Sequence, residues 1–369
     1  MASALSHRAR RLGQPLRRFA VGARTRDWAP NTRLFVVGDR GGWSVDEDAV
    51  HISAAARRLG YEVAPQEWAG LAAGQSVFHT SHFEALTPRW LDGADRLALA
   101  YMHGRPGTPG NPEFDAAHEA LRRRPDRIAR AQVTHDEMRE LVLSAGVAEE
   151  RVHRIRLGID LESFPLVDDG RRRVAREALG LPESAFVVGS FQKDGVGWGE
   201  GLEPKTIKGP DVLVRVLERL REVAPELVVL LTGRSRGYVL RELDRRGIPA
   251  RHVLADTRPE LARAYHALDL YLVTSRQEGG PKAALETAAA GVPLVTTRVG
   301  QAQELHEHGR SAALVEVEDV DGLVEWATRV HAGAGAAWRG PARALAEAHA
   351  HERLDPDWAR LLDGFVARP

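Results

Sequence analysis

The stretch best equipped for chemistry is SRQEGGPKAALETAAAGVPLVTT, Ser275–Thr297. An apolar run ends at Ser275, Glu278 follows in a turn, Gly279 and Gly280 come next, and Pro281 opens a helical pattern. Proline suits a first helical position because its missing N–H would go unpaired there. Two glycines just ahead remove side-chain bulk where free backbone N–H groups converge, which makes an anion site fit for a phosphate or diphosphate. Lys282 puts a positive charge in the first turn, where the helix dipole disfavours cations; an anionic ligand resolves that conflict. Glu286 lies one to two turns into the helix, while Glu278 sits in a loop whose direction is not tied to helical phase. Both carboxylates can therefore face one cavity. A carboxylate beside a diphosphate is suited to accept hydrogen bonds from a vicinal diol, as dinucleotide folds do with ribose. Two glutamates eight residues apart arise readily by chance. The full order of strand, Glu-Gly-Gly-Pro-Lys, helix with Glu, then Gly-Val-Pro and strand is far more restrictive.

Other polar residues stand where sites form. His103 closes the apolar run LALAYMHG and precedes Gly-Arg-Pro-Gly, at the strand end where open sheets bind ligands. A satisfied core or turn histidine is the plainer alternative. Asp39 and Arg40 end the first apolar run and are candidates to meet an acceptor, with ordinary turn chemistry an equal explanation. Asp46-x-Asp48 and Asp319-x-Asp321 match a metal-binding string, but both sit at helix starts, where aspartate caps and complements the dipole. His79 with His82, and His306 with His308, lack a third ligand or a HExxH frame. No metal and no other cofactor is expected.

These residues must be held by larger elements. From Arg33 the chain alternates short apolar runs with amphipathic stretches. Leu34–Val37, Val77–His79, Leu97–Met102 and Val152–Leu157 read as strands; Val45–Leu59, Asn111–Arg123 and Asp136–Ser144 read as helices. A second series has apolar runs at Ala185–Phe191, Glu226–Gly233, His252–Ala255, Leu268–Ser275, Val292–Thr297 and Ala312–Val317. Near-continuous apolar strands alternating with helices imply parallel sheets covered on both faces. The polar stretch Val167–Ala185 separates the two series, so the expected fold is α/β with two doubly wound, Rossmann-like domains facing across a cleft. The expected divisions are a basic arm over residues 1–30, a first domain over 31–165, a second over 166–345, and a helix over 346–369 that crosses back to the first.

Composition excludes several classes. The 369 residues are 43% hydrophobic and 28% charged, a soluble globular profile. Lys plus Arg and Asp plus Glu are both 51, so no basic footprint for nucleic acid exists. Cysteine is absent, which removes disulfides, thiolate nucleophiles and cysteine-held metals. The start carries seven arginines before Asp27 and no apolar run long enough to cross a bilayer. It reads as a solvated or packed tail, with contact to anionic lipid or organellar targeting as alternatives. A cytoplasmic location is expected, peripheral on the membrane inner face if the arm meets lipid.

EGGPKAALETAAAGVPLV resembles the Glu-x7-Glu signature of retaining glycosyltransferases with the GT-B fold, specifically family 4, the glycosyl transferases group 1. Arg151–Phe164 is similar to that family's interdomain strand and its Gly-[Val/Ile]-Asp-x3-Phe segment. Thr206–Leu220 resembles its Lys-Gly helix start, Asp269 and Ser275 its Asp-x5-Ser lead-in, and VVGDRGGWS its Gly-Gly loop. By this resemblance Glu286 would hold the ribose diol of a nucleoside-diphosphate sugar, and Glu278 the transferred sugar, aided by the backbone of Gly279–Lys282. Lys208 would neutralise the diphosphate, His103 would stand beside the reacting sugar, and Gly41 and Gly42 would let their loop approach the diphosphate. One departure is plain: Ser190 stands where the family has arginine, followed by a glycine-rich insertion. Lys193, Lys205 and Arg234 are candidates to supply the missing charge. The insertion reads as a mobile loop in which Trp198 either stacks on a sugar or base or tucks beneath.

The activity so implied is transfer of a sugar to an acceptor hydroxyl, with retention at the anomeric carbon, in synthesis of a glycan, glycolipid or glycosylated metabolite. A nucleotide-sugar epimerase or altered homologue is the nearest rival. A non-enzymatic two-domain sugar-binding protein is more distant, and no GxGxxG supports a dehydrogenase.

Overall fold

A computed structural model describes residues 17, 19–38 and 44–368. The chain divides into two compact units, one running to Ile155 and resuming at Leu354, the other Arg156–Arg353. Residues 19–25 are helical, and Val21 and Thr25 are buried in the first unit. Residues 1–16 and 18 of the basic arm, and with them the question of lipid contact, lie outside the described residues. Among the described residues no helix is long and apolar enough to cross a membrane.

The first unit is built on six parallel strands: β1 (Arg33–Val37), β2 (Glu62–Val63), β3 (Ser76–His79), β4 (Arg96–Tyr101), β5 (Ile128–Val133) and β6 (Val152–Arg154), in the order β2-β1-β3-β4-β5-β6. Helices Ser44–Arg58, Pro112–Arg123 and Asp136–Ser144 fall where periodicity predicts them. β5 is a strand that the apolar pattern does not reveal, because Arg130 and Gln132 interrupt it. Each head finds a tertiary partner: Arg130 Nη2 donates to the Asp363 carbonyl at 3.0 Å and Gln132 Nε2 to the Ile155 carbonyl at 3.0 Å. The C-terminal helix Asp355–Leu362 packs in this unit. Trp358 meets Phe78 edge-on at 5.7 Å, and Arg58 forks onto Asp355 at 2.8 and 2.6 Å.

The second unit holds β7 (Phe186–Ser190), β8 (Leu227–Thr232), β9 (Ala250–Val253), β10 (Leu270–Val273), β11 (Leu294–Thr297) and β12 (Ala313–Val315), all parallel, in the order β12-β11-β10-β7-β8-β9. Every residue of β7 and β10 is buried, as a sheet covered on both faces requires. Residues 156–165, which the sequence places with the first domain, pack here: the Phe164 ring is in the core against Tyr265, and Ile159 bridges to Ala350. The strand order reverses between β7 and β10, so the carboxyl ends of those two strands form the topological switch point where open sheets of this kind bind ligands.

Candidate functional site

The loop after β10 is fixed by the turn ahead of another helix. Thr206–Lys208 makes one 3₁₀ turn, and the Ile207 carbonyl accepts from the Arg276 and Gln277 amides at 2.8 and 3.1 Å. Thr274 Oγ1 donates to the Gly209 carbonyl at 2.9 Å. Gly209 has φ +61, and any Cβ there would run into the Thr274 carbonyl oxygen, so only glycine allows this approach. Arg276 locks the arrangement from outside with a fork onto Asp211 at 2.8 and 2.7 Å.

Lys208 Nζ is thereby delivered to Glu278 Oε2 at 2.6 Å. The other carboxylate oxygen accepts from Ser275 Oγ at 2.8 Å and from Gln192 Nε2 at 2.7 Å. Glu278 is 8% exposed and Lys208 half-buried. A carboxylate with donors on both oxygens has one orientation, and an ammonium shielded on one side acts on any neighbouring anion more strongly than a fully solvated one. Ser275 and Lys208 are legible in the motifs; Gln192 is not, since nothing local ties it to a residue 86 positions on.

Pro281, with φ −62 and ψ 109, is the N-cap of the helix Lys282–Ala290, so the helix begins one residue later than the sequence predicts. Pro281 itself supplies no side-chain cap. This is the helix start at which the sequence leads one to expect an anion. Lys282 is half-buried in the first turn. Gly280 has a packing reason of its own: a Cβ would press on Leu157 at 2.8 Å and on Gln301 at 3.0 Å. Gln301 binds this turn through its amide to the Gly279 carbonyl at 3.1 Å, while its Oε1 accepts from Leu157 N–H at 2.8 Å. Glu286 is 7% exposed and accepts from the Tyr265 hydroxyl at 2.6 Å.

The glycine-rich insertion is tied down rather than loose, a correction to the mobile loop that its glycines predict. Val196 N–H donates to the Glu203 carbonyl at 2.9 Å and Lys205 N–H to the Asp194 carbonyl at 2.7 Å, closing a narrow flap. Gly237 and Tyr238 amides then donate to the Glu200 and Gly201 carbonyls at 2.7 and 2.8 Å. At its root Arg236, 1% exposed, forks onto Asp194 at 2.9 and 2.8 Å and donates to the Ser190 carbonyl at 2.7 Å. Arg236 is therefore the cation beside Ser190, but Asp194 consumes its charge. Sequence reading passes over Arg236 because only burial separates it from its neighbour Arg234, which is exposed. Trp198 is 65% exposed, with Lys193 Nζ 3.9 Å over its ring. Burial lowers the Lys193 ammonium from the usual range.

In the first unit, a cleft of about 510 Å³ opens at the carboxyl ends of β1 and β3, lined by Gly38, Gln66, His79, Glu84, Arg89 and Trp90 among others. Asp39, Arg40, Gly41 and Gly42 lie outside the described residues. His103 is half-buried after β4, edge-on to His82, Phe83 and Phe114 at 5.8, 5.5 and 5.8 Å. Among the described residues no three His, Asp or Glu side chains gather as a metal site. Asp319 caps its helix by accepting from Gly322 N–H at 2.9 Å, and Asp46 lies in the first turn of Ser44–Arg58. Asp269 accepts from the Val187 amide at 2.8 Å and from Arg176 at 2.6 Å, so this residue of the lead-in motif braces β7.

Burial also holds two histidines neutral. His79 in the first unit is lowered to about 4 by burial and then by Arg89, and His306 in the second to about 4 chiefly by burial. A folded value below the unfolded 6.5 means the unfolded chain takes up these protons first, so stability is present above pH 6.5 and drains as pH falls toward 4. The unfolding midpoint is expected to drop between pH 6.5 and 5, where ordinary carboxylates are still ionised. His306→Gln should flatten that dependence, and a midpoint level over this window would overturn the assignment.

Residues 197–332 match the family model described as glycosyl transferases group 1. The D-inositol 3-phosphate glycosyltransferase 1 of Catenulispora acidiphila is 33% identical over 232 residues, 58% of this chain and 51% of that protein. The D-inositol 3-phosphate glycosyltransferase of Mycolicibacterium paratuberculosis is 30% identical over 243 residues, 63% of this chain and 50% of that one. The chain thus spans about half the length of the curated relatives it matches. The structure of Anabaena HepE in complex with UDP-glucose overlays with a TM-score of 0.68, covering 90% of this chain and 99% of that one at 16% identity. Sucrose-phosphate synthase from Thermosynechococcus elongatus overlays at 0.69, covering 90% and 98% at 15% identity. The fold is GT-B. Within it, Glu278, Lys208, Tyr265 and Glu286 all fall inside the span matched by the family model, whereas Gln192 and Lys193 precede it.

Proposed function

We propose that the chain is a glycosyltransferase that moves a sugar from a nucleoside-diphosphate sugar to an acceptor hydroxyl with retention of anomeric configuration. The observation that carries this reading is the joined pair of Lys208 and Glu278 beside the helix N-terminus at Pro281, with the buried Glu286 in that same helix. A diphosphate at Pro281 meets the positive end of the helix dipole and the Lys208 ammonium, so charge developing on the leaving oxygen is offset where it appears. Glu278, fixed by donors on both oxygens, presents a set orientation to sugar hydroxyls. Glu286 takes the ribose diol.

The bond from the anomeric carbon to the phosphate oxygen breaks as the bond to the acceptor oxygen forms on the same face. The departing phosphate oxygen accepts the acceptor's proton, leaving a nucleoside diphosphate and the glycoside, and the protein need supply no base. His103 keeps the place beside the sugar that the resemblance gives it, and Lys193, Lys205 and Arg234 remain secondary candidates for the diphosphate. Trp198, with Asp39 and Arg40, is kept for the acceptor. The relatives' names make D-inositol 3-phosphate the first acceptor to try.

The test is thermal shift with UDP-, GDP-, ADP- and TDP-sugars, followed by product analysis with the stabilising donor. A donor at 100 times its Kd is expected to add about 2.7 kcal/mol of stability, and the product's anomeric coupling reports retention. No shift with any nucleotide sugar would overturn the reading; inversion would overturn its stereochemical part.

A further inference from the structure

The Glu286 carboxylate sits in a helix that is buried from Ala283 to Ala290, so little water reaches it. Tyr265, completely buried on the preceding helix Arg258–His266, donates its hydroxyl to Glu286 Oε2 at 2.6 Å. Burial first, and the Glu286 charge second, push this phenol well above its usual range, so it stays an O–H donor at every working pH. Its ring stacks on Tyr271 at 5.5 Å and 27°, and Phe164 and Phe191 pack edge-on at 5.8 and 4.9 Å. The Tyr271 hydroxyl accepts from the Phe191 amide at 2.8 Å, which anchors the ring on which Tyr265 stacks. Packed rings on rigid elements thus fix the Tyr265 phenol, whose hydroxyl holds one oxygen of Glu286.

We propose that Tyr265, braced by Tyr271, is a positioning residue that presets the Glu286 carboxylate for the ribose diol of the nucleotide. This rests on the reading of Glu286 given above. A glutamate turns about three side-chain bonds, and a loose one must be frozen when ligand binds, which weakens affinity without touching the chemical step. The Tyr265 ring already fills its space, so phenylalanine keeps the packing and removes only the hydrogen bond.

The test uses the full chain and isothermal titration with UDP, ADP and GDP, each beside its 2′,3′-dideoxy analogue, together with kcat at saturating donor. Tyr265→Phe is expected to weaken the ribonucleotide that binds by about 10-fold, the scale of one lost hydrogen bond to a charged group. The dideoxy analogue should change less than about 2-fold on the same scale, and kcat should hold. Tyr271→Leu, which removes the stacked ring and leaves the Tyr265 hydroxyl in place, should give a smaller loss in the same sense and supplies the answer if Tyr265→Phe folds poorly. Equal weakening of ribo and dideoxy nucleotides would mark a merely structural role and overturn the proposal. So would an unchanged ratio in Tyr265→Phe when Glu286→Gln abolishes the ribose preference. If Glu286→Gln also leaves that preference intact, the ribose reading of Glu286 falls, and the proposal with it.

Discussion

Lys208→Ala is expected to lower kcat by about 100-fold, the loss typical when one fixed electrostatic partner of a developing charge is removed. Lys208 does two things in the geometry. It holds Glu278 Oε2 at 2.6 Å, and it brings a half-buried ammonium to the switch point between β7 and β10. The two roles separate by comparison with Gln192→Ala, which removes a donor from the other Glu278 oxygen and no charge. If Lys208 merely orients Glu278, the two variants should lose activity alike. If it offsets the leaving diphosphate, Lys208→Ala should exceed Gln192→Ala by at least about tenfold, with the loss in kcat rather than in KM. Steady-state kinetics with the donor found by thermal shift decide it. A Lys208→Ala enzyme with unaltered kcat would remove the central cation from the mechanism.

Arg236→Ala should be the most damaging single substitution to the second unit. Its guanidinium is enclosed, forks onto the equally buried Asp194, and satisfies the carbonyls of Ser190 and Thr232 at 2.7 and 3.0 Å. Burial pushes the Asp194 carboxyl up while Arg236 pulls it back. Removing the arginine leaves an unpaired buried carboxylate and two carbonyls short of a donor, a loss of about 3–5 kcal/mol. In a unit of this size that lowers the midpoint by about 10 °C, read by calorimetry. The flap over residues 194–205 should loosen with it, since Asp194 and the adjoining Ser235–Tyr238 turn anchor it. The double variant Arg236→Met with Asp194→Leu should cost less than Arg236→Ala, because no charge is then stranded. A midpoint shift under about 2 °C for Arg236→Ala would show that the pair is dispensable.

The contrast between Arg236 and Lys208 marks how far the sequence reaches. Lys208 is legible through the resemblance of its Lys-Gly helix start to that of family 4, and Glu286 because it stands a fixed distance behind Glu-Gly-Gly-Pro-Lys. Parallel strands, helix starts and the two-unit division follow from apolar runs and periodicity, which act over a few residues and survive in the order of letters. β5 escapes because Arg130 and Gln132 break its apolar run, and what excuses them are carbonyls at Asp363 and Ile155. Gln192 reaches Glu278 from 86 positions away, Arg236 reaches Asp194 across 42, and Tyr265 reaches Glu286 across 21. A glycine-rich flap that looks loose is fixed by just such a distant pair. Composition and spacing alone therefore determined the sheets and named the glutamates. Folding decided which charges are spent on each other and which stand ready for a ligand, because a side chain's partners depend on burial and direction, which only the packed chain sets.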